Sequence, residues 1–481
     1  MNELIGRTLQ FNKMLEYIES DKAEFLVLFG RRRIGKTYLV KYFFRNKFDF
    51  FMSGAENATK EEQLHNFYLT LNEYSSTPYP KVGNWQDAFA QLKHFCQNKQ
   101  KKGKIVLFFD ELPWLDNDNS GFLSAFEYFW NTYASTDNRI FLVACGSATS
   151  WMLENILNNR GGLHNRVTRQ IHLQPFTLAE TEQFFKYKKI VLDRYQILEC
   201  YMIMGGVPYY LEQMEKQYSV SQNIDNLFFA NDGILRKEFD RLYSSLFKKP
   251  EKYIEIIKVL AKKRKGLLRE EIVKEAKITD GGGLSTILND LEACGFIVAD
   301  KNFTTPKRNR IYKLVDFYSL FYLNFVNSAI NDTHFWTNSL NTPAHNAWAG
   351  FSFELLCSTH ITQIKQKLGI SGVITDISSW RSRDGRSRDV ARNVSTKCAQ
   401  IDLLIDRADN LINLCEMKFS KTKYTISNSY DKILKNKLAV FARETKTRKG
   451  IHLTMLTTYG VERNEYWGNI QSEVTMEDLF L

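Results

Sequence analysis

The segment Gly30-Arg31-Arg32-Arg33-Ile34-Gly35-Lys36-Thr37 fits the spacing G-x-x-x-x-G-K-[ST], and no other stretch constrains the fold of this chain as tightly. It follows an apolar run of strand length, Phe25–Phe29, and opens an amphipathic stretch over Thr37–Phe44. In that setting Gly30 and Gly35 let backbone N–H groups turn inward around phosphates. Lys36 supplies a point charge for the β- and γ-phosphates, and Thr37 offers a hydroxyl to magnesium. Arg33 and Tyr38, inside and just after the motif, join these as expected nucleotide contacts. The cofactors implied are ATP and Mg2+.

A loop of this kind needs partners on neighbouring strands. Ile105-Val106-Leu107-Phe108-Phe109 runs into Asp110-Glu111, which places Asp110 in the magnesium shell and Glu111 where it can polarise water. With Glu111 present, hydrolysis is expected rather than binding alone. A third apolar run, Ile140–Ala144, leads into Cys145-Gly146-Ser147, putting Ser147 beside the other strand ends as a γ-phosphate sensor or a small turn residue. Strands alternating with amphipathic stretches such as Phe122–Tyr133 predict a parallel sheet with helices on both faces.

At 481 residues the chain exceeds one core, and about 150 residues per domain gives three or four units. The expected division is a P-loop core over 1–174, a helical lid over 175–248, a third unit over 249–316, a linking helical stretch over 317–345 and a C-terminal α/β domain over 346–481. In the third unit, Tyr253, Ile256, Ile257 and Leu260 repeat at helical spacing. A helix around Leu268–Ala276 follows, and Gly281–Gly283 opens another through Leu291. Phe296–Ala299, a basic turn over Lys301–Arg310 and Ile311–Val315 then read as a hairpin. Three helices and a two-stranded wing predict a winged helix-turn-helix, with Lys307, Arg308 and Arg310 on the wing.

The C-terminal part carries a second chemistry. Gln400-Ile401-Asp402-Leu403-Leu404-Ile405, a polar turn over Asp406–Asn410, and Leu411 through Glu416-Met417-Lys418 predict a hairpin. Folded about Ala408, it sets Asp402 opposite Leu414 and diagonal to Glu416. Side chains alternate faces, so Asp402, Glu416 and Lys418 share one at the open end. Two carboxylates and a lysine suit a Mg2+ or Mn2+ ion that polarises a phosphodiester, Lys418 orienting water or meeting developing charge. Glu275-Ala276-Lys277 and Glu444-Thr445-Lys446 repeat the Glu-x-Lys spacing without a preceding paired strand. Between Trp380 and Arg392 five arginines (381, 383, 386, 388 and 392) form a basic loop suited to phosphates.

Ile5-Gly6-Arg7, the Gly30–Thr37 loop, Asp110-Glu111, Gly146-Ser147, Arg166 before Leu173-Gln174-Pro175-Phe176, and Gly205-Gly206-Val207-Pro208 occur in that order. This resembles the archaeal-type AAA+/STAND ATPases over roughly the first half of the chain. The resemblance implies that Pro208 lies in the lid near the base and that Arg166 reaches a γ-phosphate in cis or across a subunit boundary. The hairpin, with Gly350-Phe351-Ser352-Phe353-Glu354 before it, resembles the PD-(D/E)xK nuclease domain fused behind such ATPases. It implies Glu354, Asp402, Glu416 and Lys418 as the site, with Ile401 where that pattern has proline.

The net charge of +11 fits an anionic partner such as nucleic acid and fits equally a basic surface that serves solubility. Seven cysteines without a CxxC pair give neither a zinc site nor a disulfide framework, and they suit a reducing cytosol. Apolar runs stop at strand length and Met1–Arg7 has no signal pattern, so the chain reads as cytoplasmic, with no membrane partner. The leading expectation is an ATP-driven enzyme with a nuclease effector acting on nucleic acid, DNA before RNA, homo-oligomerisation being left open. The alternative is a STAND-type regulatory switch that binds DNA or a partner through the wing and keeps the nuclease-like domain as a scaffold. Coupled transport lacks any membrane segment.

Overall fold

A computed structural model describes residues 3–117, 120–158, 163, 165–263, 265–303, 310–327, 332–382 and 399–481. Five parallel strands build the first sheet: β1 (Glu24–Phe29), β2 (Phe50–Ser53), β3 (Ile105–Asp110), β4 (Ile140–Gly146) and β5 (Arg169–His172), in the order β2-β3-β4-β1-β5. β1, β3 and β4 are apolar almost throughout because helices cover both faces. Period-two alternation splits their side chains between two cores. Phe25, Val27, Leu107 and Phe109 face one side, and Leu26, Leu28, Phe108 and Phe141 the other. Running parallel, the strands bring Gly30, Asp110 and Ser147 to one carboxyl edge, where ligands sit in open α/β sheets.

Helices over Leu178–Tyr187, Arg194–Met204, Pro208–Glu212 and Glu238–Ser244 follow; the first two begin at capping boxes, Thr177 with Glu180 and Asp193 with Gln196. The next unit has helices Pro250–Lys262, Arg269–Ala276 and Gly282–Ala293 and strands β6 (Leu267–Leu268), β7 (Ile297–Asp300) and β8 (Ile311–Leu314). The hairpin β7–β8 is as expected, but the sheet is three-stranded, not two-stranded: Leu267 and Leu268 pair with Tyr312 and Ile311. Lys307, Arg308 and most of the basic turn fall outside the described residues.

The aromatic stretch after Asp316 is packed rather than extended. Phe321, Phe325, Trp336 and Trp348 meet edge-on, and the Asp225 carboxylate accepts hydrogen bonds from the Trp336 N–H (2.8 Å) and the Thr337 N–H (3.2 Å). One hydrophobic core runs from Phe176 to Phe480.

The last unit is a mixed sheet in the order β13-β12-β11-β10-β9, made of β9 (Thr375–Arg381), β10 (Gln400–Arg407), β11 (Leu411–Lys418), β12 (Gly450–Thr457) and β13 (Ser472–Thr475). The helix Pro343–Thr359 packs on β11, and Asn428–Thr445 packs on β12. The hairpin register differs from the expectation. Leu404 pairs with Leu414 and Leu403 with Cys415, so the turn centres on Asp409 instead of Ala408, and Asp402 does not oppose Leu414. Asn410, at φ 65°, takes up the reversal. The ladder with β11 ends at Leu403, and the β9 pairing shifts register between Ile401 and Leu404. Asp402 thus sits at an irregular strand end. The 383–398 arginine-rich loop lies outside the described residues; Arg381 ends β9. Among the described residues no helix is long and apolar enough to cross a membrane.

Candidate functional site

At the carboxyl edge of the first sheet the chain leaves β1 through Gly30, whose φ of +142° and approach to the Leu173 carbonyl (2.3 Å from where a Cβ would stand) exclude a side chain. Lys36 opens the next helix, and its ammonium donates to the carbonyls of Gly30 and Arg31, both at 2.9 Å. Burial pulls the Lys36 ammonium below the usual lysine range, against the charges of Glu111 and Asp110. The Thr37 hydroxyl donates to Asp110 Oδ2 at 2.7 Å. Burial raises the Asp110 carboxyl, the Thr37 hydrogen bond opposing it and the Glu111 charge adding to it. Glu111 stands in a left-handed conformation (φ 45°), and its Oε2 accepts from both the hydroxyl (2.8 Å) and the N–H (3.1 Å) of Ser147.

Beside these groups lies a cavity of about 490 Å3 lined by Ile5, Arg33, Gly35, Lys36, Thr37, Tyr38, Glu111, Tyr187, Pro208 and Tyr209. Pro208 reaches it because Gly205 and Gly206 take positive φ, and a Cβ on Gly206 would meet the Phe176 carbonyl at 2.3 Å. The Phe176 N–H in turn donates to the Gly206 carbonyl at 2.8 Å. Tyr38 is 45% exposed and donates from its hydroxyl to the Glu3 carbonyl. Asp110, Gly30 and Ser147 stand behind Thr37, Lys36 and Glu111. Arg166 is exposed in the turn after Leu163 and does not line this cavity.

The loop is held from outside by Arg7 of the Ile5-Gly6-Arg7 motif and by Glu238, which no motif marks. The Arg7 guanidinium donates to the carbonyls of Gln174 (2.7 Å) and Ile34 (3.1 Å) and lies over the Phe176 ring; burial lowers it to about 10. Glu238, at the start of the helix Glu238–Ser244, takes the Arg33 guanidinium by two hydrogen bonds, with the Tyr209 ring 3.8 Å away. Ion pairs to partners some 200 residues along the chain leave no spacing signal. The Thr37 and Asp110 oxygens suit the hard magnesium ion that accompanies a nucleotide.

The C-terminal residues form a second cluster. Glu416 is buried, and its carboxylate accepts from the Tyr430 hydroxyl, from Lys437 Nζ at 2.6 Å and pairs with Lys418 Nζ at 3.2 Å. Burial alone would raise it, but the lysines and the tyrosine hydroxyl outweigh burial and hold it below the usual range. Asp402 accepts a hydrogen bond from the Gln400 side chain at 2.6 Å. Glu354, on the Pro343–Thr359 helix, is pushed up to about 7 by burial and by the Asp402 and Glu416 charges, Lys418 opposing. The four expected residues therefore converge. Among the described residues, however, no group of three His, Cys, Asp or Glu side chains is placed to hold a metal. Tyr430 and Lys437 were not expected; seven residues apart, they lie on one face of the Asn428–Thr445 helix, which only the packing aims at β11.

Residues 4–214 match the model of an ATPase domain predominantly from Archaea. An uncharacterized protein of Methanocaldococcus jannaschii is 24% identical over 401 residues, covering 82% of this chain and 85% of its own length. A Walker-type ATPase of Pyrococcus abyssi superposes with a TM-score of 0.49 at 17% identity, over 67% of this chain and 96% of that one. A STAND protein with a tetratricopeptide-repeat sensor from Pyrococcus horikoshii gives a TM-score of 0.33 at 13% identity, over 77% of this chain and 52% of that one. The N-terminal part of the chain is a P-loop ATPase domain.

Proposed function

We propose that this chain is an AAA+/STAND-type ATPase whose C-terminal domain, of PD-(D/E)xK type, is a divalent-metal-dependent nuclease acting on nucleic acid, DNA before RNA. In the N-terminal site, backbone amides around Gly35 cradle the triphosphate and Lys36 turns from the loop carbonyls to the phosphate oxygens. Thr37, with Asp110 behind it, would hold the magnesium ion that would neutralise charge on the β- and γ-phosphates. Glu111 accepts a proton from the attacking water, and Ser147 orients its carboxylate. Tyr209 and Pro208 offer surfaces for the base. Arg166, exposed and off the cavity, is the arginine that the resemblance assigns to a γ-phosphate, in cis or across a subunit boundary.

The observation that carries the nuclease reading is the meeting of Glu354, Asp402, Glu416 and Lys418 at one irregular strand end, with the Glu354 carboxyl raised to about 7. Carboxylate oxygens of Asp402 and Glu416 would hold Mg2+ or Mn2+, which would polarise the phosphodiester, once Glu416 leaves its present partners. Lys418 orients the water. The helices Pro250–Lys262, Arg269–Ala276 and Gly282–Ala293 with their small sheet read as a winged helix packed on the ATPase. The test incubates the full chain with single- and double-stranded DNA and RNA, with Mg2+ or Mn2+, with and without ATP. Cleavage lost in Asp402→Ala and Glu416→Ala supports the reading. No cleavage in any condition, with no divalent binding that depends on these two residues, overturns it.

One observation favours the second reading, a regulatory ATPase with an inactive nuclease-like scaffold. Both Glu416 oxygens are already taken, by Tyr430 and Lys437. Divalent binding by calorimetry, with and without Lys437→Met, separates a masked site from a scaffold.

A further inference from the structure

The three consecutive arginines of the P-loop each point to a different part of the chain. Arg33 is held by Glu238, Arg32 stands 3.9 Å from Glu56, and Arg31 Nη1 donates to Asp316 Oδ1 at 2.6 Å. The Arg31–Asp316 pair spans 285 residues and is buried, its side chains 7% and 1% exposed. Asp316 leads from β8 into the aromatic stretch, and its second oxygen caps the helix Phe317–Phe321 by accepting from the Ser319 N–H at 2.9 Å. Nε and Nη2 of Arg31 are buried with no hydrogen-bond partner among the described residues. A buried pair with two unsatisfied donors is costly to keep, and parting it is cheap only where Arg31 moves to water or to new partners.

Arg31 is also held from its other end. Its carbonyl accepts from Lys36 Nζ, the cation that a triphosphate draws away. One residue is therefore gripped by the nucleotide lysine through its backbone and by the C-terminal half through its side chain. Arg31 further lines a cleft of about 870 Å3, walled by Cys294 and Asp300 on the small three-stranded unit and by His360 and Asp402 on the C-terminal one.

We propose that Arg31 and Asp316 form a latch that couples ATP binding to the C-terminal half of the chain. ATP takes Lys36 off the Arg31 carbonyl, the loop re-forms around the phosphates, and Arg31 withdraws from Asp316. The segment from Val315 to Phe321 is then released and the cleft widens. The coupling is reciprocal, so weakening the latch from the Asp316 side tightens ATP binding. This rests on the ATPase domain alone and holds whether or not the C-terminal site cuts nucleic acid.

Asp316→Asn tests it, since the asparagine oxygen still caps the helix while the charge and the acceptor facing Arg31 are lost. Its Kd for a non-hydrolysable ATP analogue with magnesium should fall about 5- to 50-fold, the range of ordinary allosteric coupling. Asp300→Asn, which removes the neighbouring Lys313 pair, should leave it unchanged. In the parent protein, amide hydrogen exchange over residues 315–321 should quicken when the analogue is added. Unchanged or weaker binding by Asp316→Asn overturns the latch, as does an unchanged exchange rate in the parent, a measurement that needs no variant to fold. A parent that binds no analogue removes the ATP site itself, and the latch with it.

Discussion

Lys36 and Glu111 divide the work of the nucleotide site between binding and chemistry. Lys36 is 5% exposed, and Arg33, the cation beside it on the cavity wall, is held by Glu238. Lys36→Ala should abolish ATP binding, measured by calorimetry. Glu111→Gln should bind ATP and lose hydrolysis by roughly 10²- to 10⁴-fold, the usual worth of a general base; turnover equal to the parent's would remove Glu111 from that role. Glu354 makes a different prediction. Its carboxyl is raised from 4.5 to about 7, so its contribution to stability is full at low pH and is lost as pH rises through about 7. Glu354→Gln has no proton to lose. Between about pH 5 and pH 8 its melting temperature should therefore rise relative to the parent's, and parallel melting curves would remove the effect.

The hairpin β10–β11 and the helix Asn428–Thr445 depend on each other through Glu416. A buried carboxylate left without its partners costs about 3–5 kcal/mol. Lys437→Met removes one of three, so a loss of about 2–3 kcal/mol is expected from urea denaturation, Lys418 and Tyr430 carrying the remainder. The same variant should bind divalent cations more readily if Lys437 masks the carboxylate. The Phe335–Ser339 helix is held by packing, with the Trp336 ring buried against Phe321, Phe325 and Trp348. Trp336→Ala should cost about 3–5 kcal/mol, the range for deleting a large buried aromatic. A loss below about 1 kcal/mol would mean that the segment is loosely docked.

At the scale of the molecule, the P-loop sheet is flanked by its own two cores; the helices after it, the small three-stranded unit and one face of the last sheet share a third, and the other face of that sheet forms a fourth with the Asn428–Thr445 helix. Calorimetry should resolve two transitions, one rising with ATP and magnesium because ligand stabilises the state it binds. The shared core should unfold as a unit; separate melting of the C-terminal sheet would show that its boundary is a true domain edge.

The P-loop was legible in the sequence because its spacing is local. Gly30, Gly35, Lys36 and Thr37 are fixed by eight residues of loop, and Asp110-Glu111 by one strand end. Strand-length apolar runs likewise marked β1, β3 and β4, since full burial leaves them no polar face. The Glu416 strand was legible for the same reason, but the hairpin register was not, because a turn centred on Ala408 or Asp409 fits the polar run equally well. The stretch after Asp316 reads as a linking helical segment in the sequence, because no periodicity says what its large aromatic side chains would cover. The Asp316, Glu238 and Lys437 partners lay beyond any spacing argument. Their ion pairs join residues that only chain folding brings within 3 Å, and burial, which decides what such a pair is worth, is a property of the assembled tertiary structure.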